Sequence, residues 1–168
     1  MDLFEAIRTR RSIRVFTGDP VPCEDLEKIV DAARLAASGV NYQPWEFIVI
    51  TEAETLRRLR VPEEHWTKQA GALIAVVMNP ESRWWIEDAA AAMQNMLLAC
   101  HGLGYGACWI EGYTSRNEAA FKAVLGIPEN RRLFSLLAVG VPAEQPSKEK
   151  KPLDEVLHWQ RYGGLTSK

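Results

Sequence analysis

The segment "WWIEDAAAAMQNMLLACHGLG", residues 84 to 104, constrains the fold more than any other stretch of the chain. Its polar residues Glu87, Asp88, Gln94 and Asn95 are confined to a seven-residue repeat, and nearly everything between them is apolar. That pattern predicts a helix buried on most sides. The part from Ala89 to Ala99 is apolar on more faces than one small sheet can cover, so its spare face calls for a partner. The simplest partner is the same face of a second copy across a two-fold axis, with Ala92 and Met96 at the contact.

The flanking sequence supplies the layers such a helix needs. "VPCEDLEKIVDAARLAA" reads as an amphipathic helix, with Leu26, Ile29, Val30, Ala33 and Ala37 at steps of three and four, and it runs into the turn chemistry of "SGVNYQP". "EFIVI" and "ALIAVVM" are short and rich in β-branched residues, as strands covered on both faces are. Between them Thr51 and Glu54 form a capping-box pattern that starts a short basic helix. "GACWIEG" and "LFSLLAVG" read as two further strands around a helix that Ser115 and Glu118 cap and Gly126 ends. The expected order is helix, helix, strand, helix, strand, helix, strand, helix, strand, tail: an α/β or α+β sandwich around a mixed sheet.

At 168 residues the chain has the size of one domain, 1 to 168, and buries about 70% of its unfolded surface. Its net charge of −2 argues against general nucleic-acid binding. No apolar run of 18 or more suggests a membrane span, and three cysteines without a signal-peptide pattern point to a reducing compartment, the cytoplasm. No CxxC, HExxH or HxH spacing joins His65, His101, His158, Cys23, Cys100 and Cys108, so no metal is expected.

"GLGYGAC", residues 102 to 108, has the glycines of a dinucleotide loop, but they follow a helix and precede a strand. That order places no phosphate on a helix N-terminus and reads instead as a helix cap and tight turn. No G-x-S-x-G elbow surrounds a serine, and Cys100 and Cys108 read as core residues. What stands out is "RTRRSIRVF", which places Arg8, Arg10, Arg11 and Arg14 within seven positions of a chain that is not basic overall. Taken alone, these arginines suit a solvated helix C-terminus.

Three segments together, "RRSIR", "SGVNYQPWEF" and "WIEG", resemble the nitroreductase family of flavin oxidoreductases. The first is similar to that family's R-[RH]-S-x-R phosphate segment, the second to its S-G-x-N-x-Q-P-W-x-F loop and the third to the strand end beside the flavin. The resemblance runs from about Leu3 to Tyr162 and includes "KPLDEVLHW" in the tail. It implies an α/β sandwich with a mixed, mainly antiparallel sheet, assembled as a domain-exchanged homodimer. It further implies that Arg10 and Arg11 clamp the FMN phosphate, Ser12 adds a hydroxyl and Arg14 holds the segment. Ser38 and Gly39 would bring backbone to the flavin, Asn41 and Gln43 would meet its polar edge, and Pro44 and Trp45 would fix the loop. Ile110, Glu111 and Gly112 would lie at the strand end, with a backbone amide near flavin N5.

In the tail, Lys148, Lys150 and Lys151 occupy the region where the family supplies cations, with Lys151 standing where an arginine is usual. Only 21 residues, Thr51 to Gly71, join the first two strands, where bigger members of the family it resembles insert helices with further flavin contacts, and Lys68 and Gln69 would be the candidates to substitute for them. The implied activity takes hydride from NADH or NADPH and reduces a small electron-poor acceptor such as a nitroaromatic or quinone, by ping-pong kinetics and without a side-chain acid or nucleophile. In the dimer, Arg10, Arg11 and Ser12 would come from one chain, and Glu111 and Gly112 from the other. A flavin-modifying or otherwise specialised reductive member of the fold, and a non-catalytic flavin-binding module, remain the alternatives.

Overall fold

The structure, a computed structural model, describes residues 1–59, 69–113 and 117–164, with Glu111 described by its backbone alone. Its elements in chain order are α1 (Leu3–Thr9), α2 (Cys23–Arg34), β1 (Trp45–Ile50), α3 (Ala53–Arg58), β2 (Ala72–Met78), α4 (Trp85–Gly102), β3 (Gly106–Glu111), α5 (Glu118–Leu125) and β4 (Arg132–Gly140). Short 3-10 turns lie at Gly39–Asn41 and Leu153–Glu155. This is the alternation expected from sequence.

The four strands form one sheet in the order β1-β2-β4-β3, and each neighbouring pair is antiparallel. Parallel character enters at the sheet edge, where Ser12 bridges to Ala107 of β3. β2 is buried along its whole length, and its side chains alternate between two cores. Ala72, Ile74, Val76 and Met78 face α2 and α4, while Leu73, Ala75 and Val77 join Phe121 of α5 on the other face. Each fully buried aliphatic side chain here contributes about 1.5–3 kcal/mol. β1 differs from the expectation of two covered faces: it is an edge strand, and Glu46 and Val49 are exposed.

α4 departs from the sequence reading in one respect. Ala92 and Met96 are fully buried against this chain's own sheet and α2, so they do not form a spare face. α2 covers part of the helix, and the Asn95 side-chain amide donates to the Ala32 carbonyl at 3.0 Å. The face left partly open carries Ala90, Ala91, Gln94 and Leu98.

One cap also differs from expectation. α3 is capped at Glu52 rather than Thr51, and the side-chain bond there runs from the Thr55 hydroxyl to the Glu52 carboxylate. Ser115 lies outside the described residues, whereas Gly126 does end α5, in the left-handed conformation with φ 68°. Among the described residues no helix is long and apolar enough to cross a membrane.

Candidate functional site

α1 is capped by the Asp2 carboxylate, which accepts from the Glu5 amide at 3.0 Å. The helix stops at Thr9, and Arg10 turns the chain out with ψ 129°. The next residues run extended, the Ile13 amide donating to the Ala107 carbonyl at 3.0 Å. This exit aims Arg10, Arg11, Ser12 and Arg14 into a pocket of about 250 Å³ shared with Lys148 and Lys150 of the tail. Five cations thus meet beside one carboxylate, Glu144, in a chain whose net charge is −2. Lys151 does not line the pocket.

The cations are not equivalent. Arg11 donates through Nε to the Lys148 carbonyl at 2.8 Å, and through Nη1 to the carbonyls of Arg8 and Arg10, both at 2.8 Å. Its guanidinium therefore ties the end of α1 to the tail. Glu144 accepts from the backbone amides of Arg14 and of Val15, the latter at 3.1 Å, and pins the same segment from the other side. Among the described residues the Arg10 guanidinium has neither a hydrogen bond nor an ion pair. Burial, reinforced by the neighbouring Arg11 charge, pushes Arg10 below the usual arginine value, yet arginine stays charged at any ordinary pH. A half-buried, unpaired guanidinium is a ready receptor for an anion.

The "SGVNYQP" turn lies at the other end of α4. Val40, Asn41 and Gln43 all have left-handed φ, at 48°, 58° and 53°. Such backbone costs about 1–3 kcal/mol per non-glycine residue, least for asparagine, and persists only where surrounding contacts impose it. Those contacts are visible. The Ser38 hydroxyl accepts from the Gln43 amide at 3.1 Å, and the Gln43 side chain donates to the Asn41 carbonyl at 3.3 Å. The Gly39 amide donates to Asp88 Oδ1 at 2.9 Å, and the Trp84 indole fills the space a Cβ on Gly39 would need. Pro44 accepts from the Asn79 amide at 2.8 Å and Trp45 is buried, as expected of residues that fix the loop.

At the third segment, Glu111 pairs with Ser135 and the Tyr113 amide donates to the Phe134 carbonyl at 3.1 Å. A Cβ at Gly112 would collide with the backbone of Leu133 and Phe134, so the close strand approach requires glycine there. Tyr113 stacks on Phe134 with ring centroids 5.5 Å apart and Trp85 meets both edge-on, which stiffens the strand end. The Ile110 side chain points into the core beneath α5, so only its backbone faces outward. A larger cavity of about 430 Å³ beside α5 is a weaker candidate, because its Arg132 is already held bidentately by Glu118 at 2.8 Å on both oxygens.

α4 measures the spacing of these parts. Asp88 near its start holds Gly39, and His101 in its last turn lies 2.8 Å from the Thr9 hydroxyl. Thirteen residues separate the two anchors, about 20 Å at 1.5 Å per residue. Along β3, by contrast, Ala107 beside Ser12 and Glu111 are four residues apart, about 13 Å.

Lys68 lies outside the described residues, and Gln69 is exposed. Sequence reasoning missed Asp88, Trp84 and Glu144. For Asp88 the signal was a carboxylate on a helix that is apolar over most of its length; for Glu144 none was present, because its partners are backbone amides 129 and 130 positions away.

The nitroreductase family model matches residues 7–62 and 58–141. The chain is 37% identical, over 96% of its length and 88% of the relative's, to a protein of Methanothermobacter thermautotrophicus provisionally named NADH dehydrogenase/NAD(P)H nitroreductase. It superposes with a TM-score of 0.86 on an FMN-dependent nitroreductase of Clostridium difficile, at 27% identity over 95% of this chain and 99% of that one. A nitroreductase with bound FMN from Bacteroides fragilis gives 0.75, at 27% identity over 91% and 95%.

Proposed function

Because the chain belongs to the nitroreductase family, we propose that it is an FMN-dependent oxidoreductase that draws hydride from NADH or NADPH and reduces a small, flat, electron-poor acceptor such as a nitroaromatic or a quinone. The observation that carries this reading is the gathering of Arg10, Ser12 and Arg14 with Lys148 and Lys150 around one pocket, with the Arg10 guanidinium unpaired among the described residues.

The pocket suits a phosphate dianion in charge and donor chemistry: Arg10 offers a planar fork, Ser12 a hydroxyl, and Lys148 and Lys150 point charges. Arg11 and Glu144 hold the backbone that carries these groups. FMN, when bound, supplies the hydride chemistry, and the protein supplies binding and orientation. The Gly112 backbone, held where no Cβ fits, offers a rigid edge for the flavin ring. Asn41 and Gln43 offer side-chain amides from a fixed loop. No side-chain nucleophile is needed, and burial pushes the Cys100 thiol up to about 12, where it carries no thiolate at neutral pH. A donor that must leave before the acceptor enters gives ping-pong kinetics.

We further propose a homodimer with shared sites. The ribityl phosphate arm of FMN has seven bonds of about 1.5 Å, a full reach of about 10 Å before the ring begins. From Ala107, beside Ser12, the Gly112 backbone of the same chain lies about 16 Å along β3, within that reach plus part of the ring's own length. The Ser38–Gln43 loop of the same chain lies further, about 20 Å from Thr9 along α4 and on another element, which favours the loop of a second copy. This division assigns Glu111 and Gly112 to the phosphate-holding chain, unlike the split the family resemblance implied. Exposed Leu3, Phe4, Leu153, Trp159 and Tyr162 supply apolar surface for the second copy. Among the described residues Cys23, Cys100 and Cys108 form no disulfide, which suits a cytoplasmic location.

Titration of the purified protein with FMN, followed by flavin fluorescence, tests the reading. Binding that quenches the flavin supports it, and absence of binding refutes it.

A further inference from the structure

The Gly39 amide is held by a buried carboxylate. Asp88 is 4% exposed, one of three buried polar or charged residues among those described. Its Oδ1 accepts from Gly39 at 2.9 Å, and its Oδ2 has no hydrogen-bond partner among the described residues. A buried carboxylate with one oxygen unsatisfied is costly, and an apolar residue at this position of α4 would pack without that cost. The adjoining turn of the helix adds a second restraint. The Trp84 indole lies against the Gly39 α-carbon, and the Arg83 guanidinium covers the indole at 4.7 Å from its centroid.

We propose that Asp88 and Trp84 form a latch that preorganises the Ser38–Gln43 loop, with Asp88 as a positioning residue for the flavin ring. Gly39 is the fixed point of the latch. Its amide is bonded from one side and its α-carbon is pressed by the indole. Val40, Asn41 and Gln43, each left-handed, extend from that point. Released from it, the loop relaxes toward ordinary backbone, and Asn41 and Gln43 swing away from where they present their amides. The carboxylate acts through the loop and need not touch the cofactor. This inference rests on the flavin reading above, but the latch itself is a property of the flavin-free protein.

The test compares wild type, Asp88→Ala, Asp88→Asn and Trp84→Ala by two readouts. The first is hydrogen exchange of the Gly39 amide in flavin-free protein. The second is the FMN dissociation constant from fluorescence quenching. Asp88→Ala is expected to speed Gly39 exchange and raise the dissociation constant about tenfold, with helix content by circular dichroism unchanged. Asp88→Asn retains an acceptor oxygen and is expected to restore binding to within about threefold of wild type. A general loss of packing would not be rescued in that way. If Asp88→Ala does not fold, Trp84→Ala, at a half-buried position outside the core, carries the same expectation. Wild-type exchange and wild-type affinity in whichever of these variants folds would overturn the latch. If wild-type protein binds no FMN, the flavin reading fails, and Gly39 exchange alone judges the latch: faster exchange in the variants upholds it, and unchanged exchange ends it.

Discussion

The Thr9 hydroxyl lies 2.8 Å from Nε2 of His101, joining the end of α1, and with it the arginine segment, to the last turn of α4. The hydroxyl also donates to the Glu5 carbonyl at 2.7 Å, so the imidazole serves best as the donor to Thr9. Burial, reinforced by the charges of Arg10 and Arg11 and partly offset by Glu5, holds His101 below its ordinary value of 6.5. A histidine depressed in the folded state binds fewer protons folded than unfolded. Its contribution is therefore intact above about pH 6.5 and is lost as pH falls through that value toward the folded pKa. Thermal unfolding of wild type should show a fall in midpoint between about pH 7 and pH 5 that His101→Gln lacks. Superimposable pH profiles would remove His101 from the account.

Arg10 and Arg11 should respond oppositely to truncation. Arg10→Ala is expected to weaken FMN binding by about 1.5–3 kcal/mol with little change in stability, because the unpaired guanidinium is poised for an anion. Arg11→Ala removes bonds to three backbone carbonyls and should lower unfolding stability by about 1–3 kcal/mol. Fluorescence titration and urea denaturation of both variants separate the two roles.

The order of helices and strands was legible because periodicity and turn chemistry act locally, and β2 even has the bounds of "ALIAVVM". The gathering of cations was legible as far as residue type: Arg10, Arg11, Ser12 and Arg14 meet Lys148 and Lys150 in one pocket, while Lys151 stays outside its lining. That Arg11 braces the segment was not legible, because it spends its donors on carbonyls, and backbone partners leave no mark in a sequence. The open face of α4 was misjudged for a related reason. Ala92 and Met96 are as apolar as Ala91 and Leu98, and only the packing of α2 decides which of them stays uncovered.

Cys100→Ala, Cys108→Ala and His101→Ala should keep turnover per bound flavin close to wild type, since the proposed chemistry uses no covalent step and the buried Cys100 thiol is protonated at neutral pH. Turnover normalised to flavin absorbance is the readout. A large loss at full occupancy in any one of them would reveal a missed catalytic group.

The proposed interface is better probed at Leu98 on the open face of α4 and at the exposed Trp159 of the tail than at buried Ala92 or Met96. Leu98→Glu combined with Trp159→Ala should weaken self-association and FMN occupancy together, if, as proposed, one chain's loop completes the other's site. Sedimentation recorded at the flavin absorbance band follows both at once. A monomer that retains FMN at full affinity would contradict shared sites.

The most direct measurement of the central claim is the visible absorption spectrum of the FMN-loaded protein under anaerobic conditions, before and after NADH or NADPH and then after a nitroaromatic or quinone. The account predicts that the flavin band bleaches with at least one nicotinamide and returns on addition of the acceptor, in wild type but not in an Arg10→Ala protein stripped of its flavin. A band that neither nicotinamide bleaches, in protein that demonstrably holds FMN, would contradict the oxidoreductase and leave a flavin-binding protein without this activity.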